Sequence, residues 1–562
     1  MINMEKYPSC YKGIIYAHQI INEEIVACEY IKGACRRFFD DLEKVESDSD
    51  YEFYFDYDKA ERFLRLAQRF KHVKGVWKTP NLVLEPWQCF GFMQIYGWYS
   101  KLTQNRRFRT VHWEVARGNG KSANASQVGL YHLSLENPVG NEIYSAATGR
   151  DQARIVLDSA RAMAKANDSF LKKTGTRVLA NKILHEKSNS FFKALSADSN
   201  TLDGLQPACA IIDELHAHKN RKVFDVIDSA MSKRRDSLLF VITTAGFDTS
   251  GIGYSQSVYA KKVALGEVKD ERFFSFVFTL DKDDDVFDPN VWQKANPNWG
   301  VSVDPVNFEA KALKAQASPS DKDNFIVKHL NLWINSANPF FNIKRWDNCA
   351  DNTLIMDRFK GLPMWVGIDL ASKIDLTSFA YIFKEDQTYH IFTDNFIPEA
   401  RVEERVNDSY AGWVEDKYLI ATKGEAINYP FLQEFLLERF RGHKVIGVHY
   451  DPWSASEFAQ RLSAKGIDMV EFRMSTGNLS EPMKTLGAKI LEEKVKHIGS
   501  PLMSWAIGNV VAKIDANENV FPRKENEKLK IDTAIAIIMG IAGHIQEELK
   551  ESVYETRGVI VI

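Results

Sequence analysis

The sequence predicts an α/β chain with two parts, a parallel-sheet domain that carries a glycine-rich turn followed by a second strand-rich domain. Three observations predict it. Short apolar runs alternate with helical patterns after Pro80, which implies a parallel sheet with helices between its strands. One of those runs leads into a Gly-Lys-Ser turn at residues 120–122. Three aspartates, Asp369, Asp451 and Asp532, close two later apolar runs and open a late helical one.

Bulk properties set the limits. Hydrophobic residues are 45% and charged residues 26% of 562, a globular balance that excludes a disordered or fibrous chain. At roughly 150 residues per domain, the length accommodates two large domains with elaborations. Lys and Arg number 72 against 75 Asp and Glu, a net charge of −3. Any nucleic-acid surface must therefore be local, because bulk charge drives no strong non-specific DNA binding. Six cysteines without a C-x-x-C pair argue against a disulfide framework or a structural zinc site, so a reducing compartment is expected. The N-terminal MINMEKYPSCYKG lacks the apolar core of a signal peptide, and the most apolar late stretch, 533–543, is too short to span a bilayer. A soluble intracellular protein with no membrane association is the expectation.

The elements follow in chain order. Residues 1–79 read as a helical N-terminal region, with apolar residues at helical spacing over 25–45 and 59–73. Residues 80–337 read as the ATPase domain, with strands at 110–115, 142–147, 208–212 and 238–243. Residues 338–363, with Asn, Pro, Asp and Gly in irregular order, read as a linker. Residues 364–562 read as a second, strand-rich domain, with strands over 365–394 and at 444–450, and a helix from 532 to about 546.

The chemistry starts at Trp113 to Ser122, W-E-V-A-R-G-N-G-K-S. Glycines at such a turn let successive backbone N–H groups point at phosphate oxygens, and the helix that follows adds partial positive charge. Arg117, Gly118, Asn119, Gly120, Lys121 and Ser122 are the candidate ATP-binding residues. Lys121 would reach the β- and γ-phosphates and Ser122 would hold Mg²⁺. Val115 stands where the G-x-x-x-x-G-K-[ST] pattern has its first glycine, so the match is incomplete. A second element strengthens it: the buried-strand pattern C-A-I-I-D-E ends in Asp213, a candidate Mg²⁺ ligand, and Glu214, a candidate base for the attacking water. The third strand ends in Thr243 and Thr244, small hydroxyl residues placed to sense hydrolysis. Upstream, Gln88 opens an aromatic-rich helix, and its two-sided amide suits an adenine edge. The basic run Lys101, Arg106, Arg107, Arg109, Arg117 and Lys121 reads as a solvated face, apart from Arg117 inside the loop. His216 and His218 have a metal-like spacing but no third ligand in register, and are not read as a metal site.

Asp369 and Asp451 each end an apolar strand, and Asp532 stands where a helix N-cap would. Brought together, such acids form a cage for two Mg²⁺ or Mn²⁺ ions, which activate water and stabilise the leaving oxygen of a phosphodiester. Asp375 is a possible outer ligand.

With V-A-R-G-N-G-K-S, A-I-I-D-E-L-H-A-H, V-I-T-T-A-G, H-L-N-L-W, G-I-D-L-A-S-K-I-D-L-T, V-H-Y-D-P and K-I-D-T-A-I-A, most of the chain resembles the large terminase subunit of tailed bacteriophages, free or as a prophage. The resemblance implies an ATPase of the additional-strand type and a nuclease of RNase H-like fold. It also implies a ring, pentameric by the resemblance, that docks on the portal, pumps double-stranded DNA into a prohead and cuts concatemeric DNA, with a small terminase subunit as partner. Carried over by motif, Lys121, Ser122, Asp213 and Glu214 are the ATPase residues and Asp369, Asp451 and Asp532 the nuclease ligands. ATP and Mg²⁺ are the implied cofactors, with Mn²⁺ an alternative in the nuclease. The family often lacks the glycine that Val115 replaces. It needs an arginine near the γ-phosphate, for which Arg117 in cis and Arg150 from a neighbouring subunit are candidates. The implied location is the host cytoplasm, transiently on the prohead. Two other readings stay open at this point: a helicase- or repair-type ATPase fused to a nuclease, and an assembly module with degenerate sites.

Overall fold

In a computed structural model, the apolar runs between Thr110 and Val277 assemble into one eight-stranded sheet. The structure describes residues 3–556 except 76, 78, 196–203, 219, 335–338, 371–373, 405, 406, 408 and 516 and the segment 525–528. The strands are β1 (Thr110–Glu114), β2 (Glu142–Ala146), β3 (Thr176–Val178), β4 (Lys182–His185), β5 (Ser190–Ala194), β6 (Pro207–Asp213), β7 (Leu238–Thr243) and β8 (Phe273–Val277). Their order is β8-β1-β7-β6-β2-β5-β4-β3. The central pairs are parallel, and every residue of β6 and β7 is buried, which is why these strands read as unbroken apolar runs. β7 lies between β1 and β6, so the additional strand expected from the sequence is in place.

Helices α1 (Pro8–Ile21), α2 (Glu29–Ser47), α3 (Tyr57–Ala67) and α4 (Pro86–Gly97) share one core with this sheet, from Cys10 through Phe38 and Phe63 to Trp113 and Phe276. The described helices of this N-terminal region thus pack on the same core as the sheet, within one unit. The helix expected over 59–73 stops at Ala67. Leu82 N–H donates to the Phe70 carbonyl and Phe70 packs on Phe170, ring centroids 5.2 Å apart, so tertiary pairing takes the backbone out of the helix. The phosphate turn is followed by α5 (Lys121–Ser134), and α6 (Arg150–Lys165) follows β2.

The middle of the basic run is not a solvated face, although Lys101 is exposed. Arg106 pairs with Glu136, Arg107 lies between Asp41 (2.7 Å) and Glu271, and Arg109 donates to the Met231 (3.0 Å) and Arg234 (2.7 Å) carbonyls. Arg106 and Arg107 are buried because carboxylates from distant segments meet them; unpaired, they would carry a desolvation cost of several kcal/mol each.

The chain divides into two units after Ile334. The second holds a seven-stranded sheet: β9 (Pro363–Asp369), β10 (Thr377–Glu385), β11 (Thr388–Pro398), β12 (Ile420–Thr422), β13 (Lys444–Tyr450), β14 (Met469–Glu471) and β15 (Val495–His497). The order is β12-β11-β10-β9-β13-β14, with β15 on β11. β9, β10 and β11 are antiparallel, while β9 and β13 run parallel, which sets the C-terminal ends of β9 and β13 side by side. α7 (Pro452–Ser463) follows β13, and α8 (Asp532–Thr556) packs across β9 and β10.

The segment read as a linker belongs in part to this unit. Phe341, Trp346 and Cys349 are buried in its core, and Trp346 stacks on His497 at 4.2 Å. The turn-forming residues there are interspersed with aromatics that need covering. Residues 335–338 lie outside the described ones.

Gly367 sets how closely α8 approaches the sheet. A Cβ at this position would stand 2.0 Å from the Ala536 carbonyl oxygen and 2.6 Å from the Gly540 nitrogen. Both are backbone atoms of a helix that cannot yield locally. Gly367→Ala is therefore expected to cost more than the roughly 1–3 kcal/mol of ordinary overpacking. A thermal melt should show the C-terminal unit unfolding at least about 5 °C lower; an unchanged melt would contradict this packing.

Candidate active sites

The first site forms where three neighbouring strands end on one edge of the sheet. Register aligns Glu114 of β1 with Thr243 of β7, and Asp213 of β6 with Ile242. The loop after β1 is thus beside the acids after β6 and the threonines ending β7, the crevice at the C-terminal ends of strands where α/β sheets bind ligands.

Gly118 (φ 91°) and Gly120 (φ 75°) supply the left-handed backbone that the loop needs, and Gly120 is the N-cap of α5 without a side-chain cap. The first N–H groups of α5 are therefore left for an anion. Lys121 is buried, with Nζ 3.4 Å from the Val115 carbonyl. Burial lowers its pKa, against the pull of Glu214 and Asp213. Arg117 is exposed, and its positive charge is felt by both Lys121 and Glu214. Ser122 is half-buried at the start of α5.

Two candidate side chains are engaged within the protein. The Asn119 side chain is fully buried: it donates to the Ala116 carbonyl (3.1 Å) and Asn296 Oδ1 (3.2 Å) and accepts from Asn298 N–H (3.0 Å). It pins the loop from beneath, so only its backbone faces the phosphate side. Gln88 has both ends of its amide engaged, accepting from Glu85 N–H (2.9 Å) in a capping box and donating to Asn124 Oδ1 (2.9 Å). It fixes the start of α4 and the wall behind Gly120, with one amide N–H and one oxygen lone pair beyond these two bonds. Sequence reasoning missed Asn296, Asn298 and Ser302, which hold the loop through Asn119 and the Gly118 carbonyl. Nothing local marks them, because the loop lies far away in the chain.

Asp213 is buried, and its Oδ1 has no hydrogen-bond partner. Burial and the neighbouring Glu214 raise its pKa to about 7, with Lys121 pulling the other way. This is a carboxylate with one oxygen free of hydrogen bonds, and it fits a divalent metal ligand. Glu214 has a left-handed backbone at φ 51°, a strain that non-glycine residues hold mainly where function requires it. Burial would raise its pKa, but the close His216 ring and the Lys121 charge outweigh it and bring it down to about 2. His216 Nδ1 lies 3.1 Å from Glu214 Oε2, so this histidine serves the acid; His218 is buried, which lowers its pKa to about 4. Arg150 opens α6, and its side chain lies outside the described residues.

The second site is at the C-terminal ends of β9 and β13. Ile368 pairs with Tyr450, so Asp369 and Asp451 leave adjacent strand ends. Asp451 Oδ1 accepts from Trp453 N–H (3.2 Å) and caps α7. Asp532 begins α8. Burial raises the pKa of Asp369 well above the usual carboxylate range, and Asp532, Asp451 and Asp375 add to it. Asp532 is raised to about 6 by burial and Asp375. Lys530 Nζ pairs with Asp375 Oδ2 at 2.6 Å. Among the described residues, no three acidic, His or Cys side chains stand close enough to clasp an ion as they are. The acids share one field, and hard oxygen donors in mutual repulsion are the set that suits Mg²⁺ or Mn²⁺.

Among the described residues, no helix is long and apolar enough to cross a membrane. The family profile for the terminase large subunit, ATPase domain, matches residues 86–262, and that for the terminase large subunit, endonuclease domain, matches 267–548. Protein YmfN of Escherichia coli (strain K12) is 32% identical over 353 residues, 60% of this chain and 78% of that protein. The terminase large subunit of Enterobacteria phage HK97 is 26% identical over 446 residues, covering 77% and 87%. The crystal structure of the HK97 bacteriophage large terminase aligns with 24% identity and a TM-score of 0.47, over 86% of this chain and 99% of that one.

Proposed function

The chain belongs to the terminase large-subunit family, and from that premise we propose how its residues divide the work. Its two domains make it an ATPase and an endonuclease, the motor and cutting functions of phage DNA packaging. Lys121, the α5 N-terminus, Asp213 and Glu214 form the ATP hydrolysis site. Asp369, Asp451 and Asp532 form the cleavage site, with Asp375 as an outer acid. The observation that supports the first assignment most is the buried, unpartnered Asp213 Oδ1 beside Lys121 on the same sheet edge.

In this reading, Lys121 and the loop N–H groups hold the β- and γ-phosphates, and Glu214 takes a proton from the attacking water. Polyphosphate charge would offset Lys121 and Arg117, the cations that hold the Glu214 pKa down, and so make the glutamate a better base once ATP is bound. Asp213 with Ser122 would hold Mg²⁺ in one site and the aspartates Mg²⁺ or Mn²⁺ in the other, where bound ions neutralise phosphate charge and activate water. Double-stranded DNA, a portal, a small terminase subunit and a homo-oligomeric ring are the partners this reading proposes, in the cytoplasm of the host cell.

Glu214→Gln is the direct test. The amide matches the acid in shape but takes no proton, so ATP binding should persist while turnover falls at least about 100-fold. An unchanged rate would move the base elsewhere, with Asp213 next. DNA-filled heads in a packaging extract would distinguish the motor from a repair-type ATPase.

A further inference from the structure

His216 lies where the ATPase acid meets the end of β7. Its Nδ1 is 3.1 Å from Glu214 Oε2, 3.1 Å from Thr243 Oγ1 and 3.3 Å from Thr244 Oγ1. Both threonine hydroxyls already donate elsewhere, Thr243 to the Thr244 carbonyl (2.9 Å) and Thr244 to the Ala245 carbonyl (3.0 Å). The two hydroxyls therefore face Nδ1 as acceptors, which places the proton on Nδ1, and Glu214 Oε2, which has no other hydrogen-bond partner, stands at ion-pair distance from the same nitrogen. The His216 backbone N–H also donates to Thr243 Oγ1, at 3.1 Å.

Two glycines make room for this arrangement. A Cβ on Gly253 would stand 2.7 Å from His216 Cα, and one on Gly246 would stand 3.0 Å from its Cβ. The helix Ile252–Ala264 and the segment after β7 thus press on the histidine from two sides. Glu214 needs such an anchor. It stands in a left-handed turn at φ 51°, and a glutamate side chain otherwise retains rotamer freedom that an in-line water cannot use.

We propose that His216 is a positioning residue, which ties one carboxylate oxygen of Glu214 to Thr243 and Thr244 so that the end of β7 sets where the base points. The inference rests on Glu214 as the base. With Oε2 held, Oε1 takes the proton from water. The water oxygen bonds to the γ-phosphorus, and the bond to the β-bridging oxygen breaks, releasing ADP and phosphate. The coupling threonines thereby act on hydrolysis through His216 without touching the nucleotide.

The test is steady-state ATPase of the full chain, with and without double-stranded DNA. His216→Ala should lower kcat about 10- to 100-fold, the range for a lost hydrogen bond to a charged group. The KM for ATP should stay within about threefold, since the histidine makes no ground-state contact with ATP. His216→Asn places an amide near the Nδ1 position and should restore most of the rate; His216→Gln, whose amide reaches past it, should not. The double variant Glu214→Gln/His216→Ala should be no slower than Glu214→Gln, because the histidine acts only through the acid. If His216→Ala melts early, the Asn and Gln pair carries the comparison. A wild-type kcat in His216→Ala, or equal rates in the Asn and Gln variants, overturns the proposal while a slow Glu214→Gln leaves the base in place. A Glu214→Gln variant at wild-type rate removes the base and the proposal together.

Discussion

Replacing Lys121 by alanine is expected to abolish ATP hydrolysis while both units stay folded. Lys121 is the buried cation between the phosphate loop and two acids, and its charge is felt by Asp213 and Glu214. Removing it withdraws the positive charge that meets the γ-phosphate as negative charge develops. One preorganised contact of that kind is worth about 10²–10³ in rate, and ground-state binding is lost with it. The fold should survive because Asp213 has an outlet. Its pKa of about 7 means that, once its cation is gone, it takes up a proton near neutral pH instead of facing Glu214 as a second buried charge. ATP turnover with a parallel thermal melt checks both parts. Turnover above a tenth of wild type would sink the phosphate-loop assignment, and an early melt would show that the ammonium is structural.

Sequence pattern revealed the parts of this fold that rest on continuous local signals. The strands ending in Asp213, Thr243, Asp369 and Tyr450 are unbroken or nearly unbroken apolar runs, because both faces of those strands are covered. The short strands Thr176–Val178, Lys182–His185 and Ser190–Ala194 are half-exposed and pair antiparallel with one another, and they left no run to find. Charges misled where partners were remote: nothing near Arg107 tells that Asp41 and Glu271 come to meet it. Glu85 and Gln88 carry the spacing of a capping box, a local rule that accounts for the glutamine more directly than an adenine does. Gly367 is a different case. Its need for a bare backbone depends on where α8 crosses, which only the packed structure supplies.

Asp451→Asn is expected to separate cleavage from ATP hydrolysis. Asp451 has two roles, and the substitution removes one of them. As the N-cap of α7 it accepts from Trp453 N–H, and asparagine caps as well as aspartate. As a member of the acidic set it adds negative charge to the field that holds Asp369 well above its usual pKa. The asparagine variant should therefore fold at least as stably as wild type without metal, because one repulsive charge is gone from a half-buried set. That same charge is what a divalent ion requires. Loss of even an outer partner of a metal ligand costs 10- to 100-fold in affinity, so losing a direct carboxylate should lower cleavage by more than about 100-fold. The ATPase acids lie in the other unit and should turn over at the wild-type rate. Plasmid nicking in Mn²⁺, ATP hydrolysis and a circular dichroism melt on one preparation decide it. Cleavage that persists would take Asp451 out of the metal site. Equal loss of both activities with a lowered melt would show that the cap, and not the charge, was the role that mattered.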